Sequence, residues 1–389
     1  MSLPLHLRGV NVGLLPGLYK ILGIEEALRQ QFASNSVLID LRDGPDVALT
    51  SLAAFGYAGI VAEGSVTESP LPVLHSLSIA AAIGEGDAVR VHADGKLNVL
   101  YRRGANANTL FVTERCNSLC LMCSQPPRDV DDRWRVQELI DLLPLIDRYL
   151  AVLGVTGGEP TLLGDELLRL LSAAKSILPS TKLHVLTNGR TFSDPAFTTT
   201  FDSLRDHVTW AVPVYADVAR IHDFVVQAGG AFVETIHGLH NLAERGHRIE
   251  IRTVLHAQTL PRIYPLAQFI YRNLPFVDHI ALMGLEPMGL SRVNAALLDH
   301  DHARISRQLA PAVSFLHQTG MNVSIYNVPL CALDTAMRPF ARKSISDWKA
   351  EYADDCSSCA VQGDCCGFFR SSSAKARNLI ARPIGERAA

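Results

Sequence analysis

The sequence predicts an α/β protein built around a partial (β/α)6 barrel, with an N-terminal α/β domain and a cysteine-bearing C-terminal extension. Three observations support this fold class. From residue 108 onward, short apolar runs alternate with amphipathic helical stretches, a rhythm typical of a parallel sheet. A loop with three closely spaced cysteines follows the first run, and the five other cysteines lie near the C-terminus. Two tight groups of thiols predict two metal sites.

Length and composition restrict the possible classes of protein. A chain of 389 residues is long enough for two or three domains. With 48% apolar and 19% charged residues it is typical of a globular protein with a sizeable core. A net charge of −3 argues against general nucleic-acid binding. No apolar run reaches the roughly 18–20 residues of a membrane span, and the N-terminus does not resemble a secretory signal. We therefore expect a cytoplasmic location and no membrane partner.

The chain is predicted to contain three domains, at 1–105, 106–295 and 296–389. In the first, residues 88–103 have the pattern of a β-hairpin around Asp94-Gly95, and no chemical motif is recognised. In the third, the small and basic residues from 371 onward are expected to form a flexible tail.

The barrel is predicted from six strands and the helices between them. The strands are expected at 109–113, 151–156, 183–187, 208–215, 249–255 and 278–284. Helices are expected at 134–150, 165–177, 232–245 and 260–273, followed by a helix at 302–317 and a strand at 321–326. In such barrels the active site lies at the carboxyl ends of the strands.

The first cysteine group is Cys116, Cys120 and Cys123, in a C-x3-C-x2-C arrangement after the first predicted strand. Three thiolates on one loop can bind three corners of a 4Fe–4S cluster and leave the fourth iron open. The alternative is a zinc site. Zinc sites usually take four protein ligands in C-x2-C pairs, and no fourth ligand lies nearby in the sequence.

The second group consists of Cys331, Cys356, Cys359 and Cys365, with Cys366 adjacent. Four thiolates fully ligate either a zinc ion or a 4Fe–4S cluster, and the spacing leaves both open. Adjacent cysteines are sterically poor ligands of one metal, and Cys365 fits the C-x2-C-x5-C spacing. We therefore predict Cys366 to be the spare thiol.

The first motif, LFVTERCNSLCLMC, followed by GGEP after the second strand, resembles the radical SAM superfamily. The resemblance implies that the open iron binds the amino and carboxylate groups of S-adenosylmethionine. One electron then cleaves the sulfonium bond, and the resulting 5′-deoxyadenosyl radical abstracts a hydrogen atom. Cys116, Cys120 and Cys123 would be the catalytic ligands. Met122 stands where the family often has an aromatic residue near the adenine.

The same resemblance implies a set of cofactor contacts at the strand ends. They are Met122, Gly157, Gly158, Glu159, Pro160, Asn188, His256 and Leu285. Each has a plainer interpretation: GGEP as a tight turn, Thr187-Asn188-Gly189 as a polar turn, and His256 as a satisfied or exposed histidine. Leu285 lies in a Gly/Pro-marked stretch, which also suits an ordinary loop.

A closer resemblance covers about residues 100–370 and is carried by TERCNSLCLMCSQPP, GGEPT, GLEPMG and ARKSISDWKAEYADDCSSCAVQGDCCGFF. This text is similar to the C-type radical SAM maturases of His-Xaa-Ser systems. It implies a ribosomally made peptide substrate with His-Xaa-Ser repeats, a second radical SAM maturase and a small accessory protein as partners. An electron donor such as flavodoxin is also implied. The second cysteine group would hold an auxiliary 4Fe–4S cluster suited to electron transfer, and residues 1–105 would dock the peptide or a partner.

Two other functions compete with this interpretation. One is a radical SAM enzyme acting on a small molecule, such as a GTP cyclase of molybdenum-cofactor synthesis, although those typically begin with the cluster loop. The other is a non-catalytic iron–sulfur carrier or scaffold, which would need neither GGEP nor a barrel. Binding of S-adenosylmethionine distinguishes the second from the others.

Overall fold

The computed structural model describes residues 5–29, 32–44, 48–105, 107–300, 304–343 and 350–385. The chain forms two compact units. The first comprises Met1–Leu110, Trp134–Leu153 and Ser172–Thr181, and the second comprises Phe111–Arg133, Gly154–Leu171 and Lys182–Ala389. The predicted domain boundaries at 105 and 295 remain predictions. Among the residues described, no helix is long and apolar enough to cross a membrane.

The first unit contains an eight-stranded mixed sheet. Its strands are β1 (His6–Arg8), β2 (Val10–Val12), β3 (Gly17–Leu22), β4 (Val37–Asp40), β5 (Gly59–Val61), β6 (Val73–His75), β7 (Ala88–Val91) and β8 (Lys96–Tyr101). They are ordered β1-β8-β7-β3-β4-β5-β6-β2. The predicted hairpin is confirmed as the antiparallel pair β7–β8. The N-terminal α/β region predicted from the sequence is therefore present.

Both edges of this sheet are supplied by consecutive residues. Strand β1 pairs with β8, and β2, which begins two residues after β1 ends, pairs with β6 at the opposite edge. The chain changes partner at Gly9, whose N–H donates to the Gly95 carbonyl oxygen at 2.9 Å. A side chain on Gly95, which has a φ of +76°, would overlap the Gly9 oxygen. One short stretch of chain therefore supplies the strand at each end of the sheet.

The two faces of this sheet cover separate apolar clusters. One cluster includes Tyr19, Ile21, Leu38, Leu74 and Leu97. The other includes Leu22, Val37, Ile39, Leu52 and Ile60. Because neighbouring strand residues point to opposite faces, Ile21 and Leu22 belong to different clusters. Helices α1 (Ile24–Ala27) and α2 (Leu49–Ala54) contribute to the second cluster.

The second sheet also has eight strands. They are β9 (Asn108–Phe111), β10 (Val152–Thr156), β11 (Lys182–Leu186), β12 (Val208–Pro213), β13 (Arg248–Leu255), β14 (His279–Gly284), β15 (Val323–Tyr326) and β16 (Ala341–Arg342). They lie in sequence order across the sheet, and the pairs from β11 to β16 are parallel. The predicted partial barrel is confirmed. Strands β15 and β16 extend it beyond the six predicted strands.

Five helices follow the predicted positions, most with shifted ends. They are α3 (Trp134–Leu142), α4 (Asp165–Ile177), α7 (Ala231–Glu244), α8 (Ile263–Asn273) and α11 (Ile305–Gln318). Four shorter helices were not predicted, and they are α5 (Pro195–Thr199), α6 (Ala219–Val226), α9 (Leu290–Val293) and α10 (Ala295–Leu298). Helix α3 ends eight residues before the predicted end at residue 150, because Pro144 cannot continue it and becomes part of a 3₁₀ turn. Residues 302 and 303 at the predicted start of α11 lie outside the described part of the chain.

The C-terminal segment corrects one prediction. The expected flexible tail instead begins with helix α12 (Ala374–Ile380), capped by the Ser373 hydroxyl, which accepts a hydrogen bond from the N–H of Ala376. A two-stranded ribbon, β17 (Ala350–Glu351) and β18 (Phe368–Phe369), precedes it. Buried Ala381 packs with Phe368 and Ala353, and this apolar contact positions the end of the helix.

Candidate functional site

A cavity of about 330 Å³ lies at the carboxyl ends of the second sheet's strands. Cys116, Cys120 and Cys123 all line it and are half-buried. Burial raises the pKa of Cys116 to about 11 and that of Cys120 to about 12, so a bound metal would displace their protons. The donor set fits a 4Fe–4S cluster with one open iron, because three thiols from a single loop face one cavity.

The loop that carries these cysteines is fastened on two sides. The N–H groups of Leu119 and Leu121 donate to the carbonyls of Val226 and Val225 in α6, at 3.0 and 2.9 Å. On the other side, the segment after β14 holds the loop. There the N–H of Leu290 donates to the Cys123 oxygen at 2.8 Å. These main-chain bonds fix the positions of the thiols on both flanks.

Gly289 makes this second attachment possible. Its backbone has a φ of +60°, and a side-chain carbon there would lie within 2.5 Å of the carbonyl oxygens of Cys123 and Ser124. Only glycine combines this dihedral with so close an approach. Nothing in the sequence pattern singled out Gly289, although it belongs to the quoted GLEPMG stretch.

Gly157 and Gly158 line the cavity and also meet the cysteine loop directly. A side chain at Gly158 would overlap the Arg115 carbonyl oxygen, and one at Gly157 would lie 2.5 Å from the Thr113 oxygen. The N–H of Gly158 donates to Thr113 at 2.7 Å. The two glycines are therefore needed for contact between two protein segments, in addition to any contact with a ligand.

Glu159 is fully buried and its carboxylate is engaged within the protein. It accepts hydrogen bonds from the N–H and hydroxyl of Thr161, from the Thr187 hydroxyl at 2.6 Å and from the Asn188 N–H at 2.6 Å. Burial raises the pKa of Glu159, and these hydrogen bonds oppose the rise. The carboxylate thus ties the end of β10 to the end of β11.

Asn188 lies on the cavity wall and reaches the cysteine loop. Its side-chain amide donates to the Asn117 side-chain oxygen at 2.6 Å. Arg190 adds hydrogen bonds to the Asn117 carbonyl and the Ser118 hydroxyl, and its guanidinium pairs with Glu234 at 2.6 Å. Sequence reasoning missed Asn117 and Arg190. Their only signal is adjacency to motif residues.

The apolar wall of the site forms around Met122. Met122 and Tyr215 are buried in one cluster, with Cys120, Val254 and Leu285 packed against it. Two other predicted contacts lie elsewhere, since neither Pro160 nor His256 lines the cavity. His256 is fully buried in the turn after β13, where its N–H donates to the Thr259 hydroxyl at 3.0 Å and burial lowers its pKa to about 4.

A polar network lies inside the barrel below this wall. Arg252 is the one Lys, Arg or His among the described residues that line the cavity. It donates to Glu250 at 2.9 Å, and Glu250 also contacts His184 at 3.3 Å and His279 at 2.8 Å. Burial alone would raise the pKa of Glu250, but hydrogen bonds from the two histidines and the Arg252 charge hold it below its usual range. Glu250 and Arg252 are charged residues within an otherwise apolar predicted strand, and this pattern is the signal that would have identified them.

The family comparison matches residues 110–270 to the radical SAM superfamily. The chain contains a radical SAM domain. The match includes the cysteine loop, the GGEP turn and Arg252, and it ends before the second cysteine group. Radical SAM proteins are enzymes that use a 4Fe–4S cluster and S-adenosylmethionine. No curated protein sequence matches the chain significantly.

Solved structures with a similar fold include SuiB from Streptococcus suis bound to S-adenosylmethionine, with 16% identity and a TM-score of 0.45. The match covers 56% of this chain and 49% of SuiB, so this chain spans about half of that protein. Another is anSMEcpe with bound AdoMet, at 14% identity and a TM-score of 0.43, covering 56% of this chain and 62% of that one. A third is a radical SAM methyltransferase from Sphaerobacter thermophilus, at 16% identity and a TM-score of 0.42, covering 61% and 72%.

The second cysteine group lies outside the matched radical SAM domain. Cys331, Cys356, Cys359 and Cys365 line one small cavity, and Cys366 does not. The Cys366 thiol is buried and lies 3.3 Å from the Gly367 oxygen. A hydrogen bond from Cys366 is the main cause that lowers the pKa of Cys365 to about 6, and the N–H groups of Leu330 and Gly367 also contribute.

Within the described ranges, no three His, Cys, Asp or Glu side chains are grouped so that they could hold one metal ion. The auxiliary cluster at the second site stays a prediction.

Proposed function

We propose that the protein is a radical SAM peptide maturase acting on a ribosomally made peptide with His-Xaa-Ser repeats. The observation that carries the proposal is the position of Cys116, Cys120 and Cys123 on one cavity wall, beside Gly157 and Gly158. The thiols that would hold an open cluster and the main-chain groups that would bind the methionine part of S-adenosylmethionine line the same cavity. The sequence resemblance to C-type maturases supplies the peptide.

In this proposal the three thiols hold the cluster and the strand ends hold S-adenosylmethionine. When bound, the cluster supplies the electron that splits the cofactor and yields a radical able to take a hydrogen atom from the peptide. The residues of this chain position the cofactor and the substrate and protect the reacting groups from water. Met122, Tyr215 and Leu285 present an apolar wall that excludes water. Arg252 offers a fixed cation inside the barrel for a carbonyl or carboxylate group.

The second site is proposed to hold an auxiliary 4Fe–4S cluster that carries electrons. Four thiols around one cavity give full ligation, which suits electron transfer better than substrate binding. Structural zinc is the alternative, and ultraviolet–visible absorption of the reconstituted protein distinguishes them, because zinc thiolates lack the visible iron–sulfur bands.

The partners and location belong to the same proposal. We infer a second radical SAM maturase, a small accessory protein and a flavodoxin-like donor as partners, in the reducing cytoplasm. Residues 1–105 are the proposed docking region for the peptide or a partner, since they carry no recognised chemical motif and domains next to a barrel often form binding clefts.

The test is the intact mass of a His-Xaa-Ser repeat peptide after anaerobic incubation with reconstituted protein, S-adenosylmethionine and reductant. The control carries Cys116→Ala, Cys120→Ala and Cys123→Ala. A mass change that requires the three cysteines supports the proposal. A loss of two hydrogens indicates oxidation or a cross-link. Epimerisation leaves the mass unchanged in water and requires deuterated solvent to appear.

The two competing functions give different results. Production of 5′-deoxyadenosine with an unmodified peptide, also in deuterated solvent, keeps the radical enzyme and indicates a different substrate, such as a small molecule, or a missing partner. A fully loaded protein that neither binds nor cleaves S-adenosylmethionine favours an iron–sulfur carrier or scaffold.

A further inference from the structure

The residues after α12 return to the second cysteine site. Arg382, Pro383 and Ile384 line its cavity. The N–H of Ile384 donates to the Cys359 sulfur at 3.4 Å, and the Ile384 oxygen accepts from the N–H of Ala360 at 3.0 Å. Burial raises the pKa of Cys331, and a hydrogen bond from the main chain of Arg382 opposes the rise. The main-chain N–H groups of Arg382 and Ile384 therefore face two of the four thiols, those of Cys331 and Cys359.

This segment is held in place through the helix that precedes it. Helix α12 precedes it, and Ile380 and Ala381 pack against Cys356 and Phe368. At the helix start, Arg292 donates to the Ser371 oxygen at 2.9 Å. The two amides are therefore positioned before any metal group binds.

Hydrogen bonds to cluster sulfurs are a main determinant of reduction potential. An N–H donor withdraws electron density from a thiolate and favours the reduced form, which carries one more negative charge. Leu330 and Gly367 provide such donors to Cys365. The tail provides them to Cys331 and Cys359, and its backbone also covers that side of the cavity.

We propose that residues 381–385 are a positioning segment for the redox group of the second site, raising its reduction potential through the amides of Arg382 and Ile384 and shielding it from solvent. This rests on the proposed auxiliary cluster. Its effect is expected at the second cluster alone.

The experiment uses the full chain with Cys116, Cys120 and Cys123 replaced by Ala, so that only the second site binds iron. In this background, Ile384→Pro removes the N–H donor and Ile384→Ala keeps it. Iron per chain, the electron paramagnetic resonance spectrum and the reduction potential are measured for each. We expect equal iron content, a more negative potential and an altered spectrum for Ile384→Pro, and no change for Ile384→Ala.

A third variant ends the chain after Ser373. We expect it to lose iron in air about tenfold faster than the full-length background, because removing outer contacts of a metal site weakens metal binding by about 10–100-fold. Equal potentials for the Pro and Ala variants, or an equal rate of iron loss after truncation, overturn the inference. If the full-length background binds zinc or no metal, the auxiliary-cluster proposal itself fails and the inference fails with it.

Discussion

Gly289 shows how one residue controls the first cysteine site. Gly164 has almost the same backbone dihedrals, with φ of 56° and ψ of −124° against 60° and −131°, but open space around its missing side chain. Comparing alanine substitutions at Gly289 and Gly164 therefore separates the effect of backbone strain from that of a steric clash. Strain alone costs roughly 1–3 kcal/mol at either position.

We predict that Gly289→Ala lowers the iron bound per chain, because the new methyl group pushes Cys123 away from its position. Gly164→Ala is the matched control and keeps the wild-type iron content, since its methyl group meets nothing within 4 Å. Iron content and visible absorption after reconstitution measure the effect. Equal losses in both variants would show that strain alone is responsible.

His247 is expected to make stability depend on pH. It is buried beside Trp210, whose indole N–H donates to it at 3.3 Å. Burial lowers its pKa to about 4, Asp202 opposes the shift, and Arg205 and Arg245 add to it. The pKa of His247 in the folded protein lies below its ordinary value near 6.5. The contribution of the neutral ring to the free energy of unfolding is therefore complete above about pH 6.5 and is lost as the pH falls toward 4.

We therefore predict that His247 alone makes the protein about 2 kcal/mol less stable at pH 5 than at pH 7. His247→Asn keeps an acceptor for Trp210 and does not titrate in this range. Unfolding by guanidinium, followed by tryptophan fluorescence, measures both proteins at both pH values. If the variant loses as much stability between pH 7 and pH 5 as the wild type, the buried-histidine explanation is wrong.

At the scale of elements, the placement of β1 and β2 at the two edges of the first sheet depends on the turn between β7 and β8. Gly95 combines a φ of +76° with contact to Gly9, where the chain changes from one sheet edge to the other. Gly56 has a φ of +75° and nothing within 4 Å. It is therefore a control for the dihedral alone.

We predict that Gly95→Ala destabilises the first unit by roughly 3 kcal/mol, while Gly56→Ala costs about 1 kcal/mol. The difference arises because an alanine at 95 must displace the β1–β2 segment as well as adopt an unfavourable φ. Thermal unfolding of both variants, monitored by circular dichroism, gives the comparison. Equal destabilisation by the two substitutions would exclude a special role for the Gly9–Gly95 contact.

At the scale of the whole molecule, the first unit is not a removable N-terminal segment. It includes Trp134–Leu153, in which Asp147 accepts a hydrogen bond from fully buried Lys20 at 2.9 Å and Glu138 pairs with Arg90. Residues far apart in the sequence thus share one set of ion pairs. Removing one partner of a buried pair leaves a charge without compensation.

We predict that deletion of residues 1–100 yields a chain that aggregates or loses helical signal, because α3 and Asp147 lose the strands they pack on. Circular dichroism, size-exclusion chromatography and iron content measure this. Tyr149→Ala, at a side chain that is 95% exposed, is the control and should behave as wild type. A monomeric, iron-loaded deletion chain would show that α3 is stable without its partners and would make the deletion a valid test of peptide docking.

The sequence alone determined the alternation of strands and helices in the barrel, the N-terminal α/β region and the two groups of thiols. Strand and helix periodicity is local, and closely spaced cysteines keep their grouping in any fold. Predictions from the local sequence were wrong where contacts with residues far away in the chain determine the structure. The tail from residue 371 looked flexible because its stabilising contacts, to Cys359 and Phe368, are invisible in its own composition.

Only the tertiary structure decided which polar residues meet at the cavity. His256 follows a predicted strand, yet its ring does not line the cavity and its Nδ1 accepts a hydrogen bond from the N–H of Gln258 at 3.2 Å, whereas Arg252, four residues earlier, lines the cavity. Glu159 lines the cavity as predicted for a ligand contact, and its carboxylate also joins two strand ends. Side-chain direction at a strand end depends on the turn that follows and on partners from other strands. These contacts form only when the chain is folded.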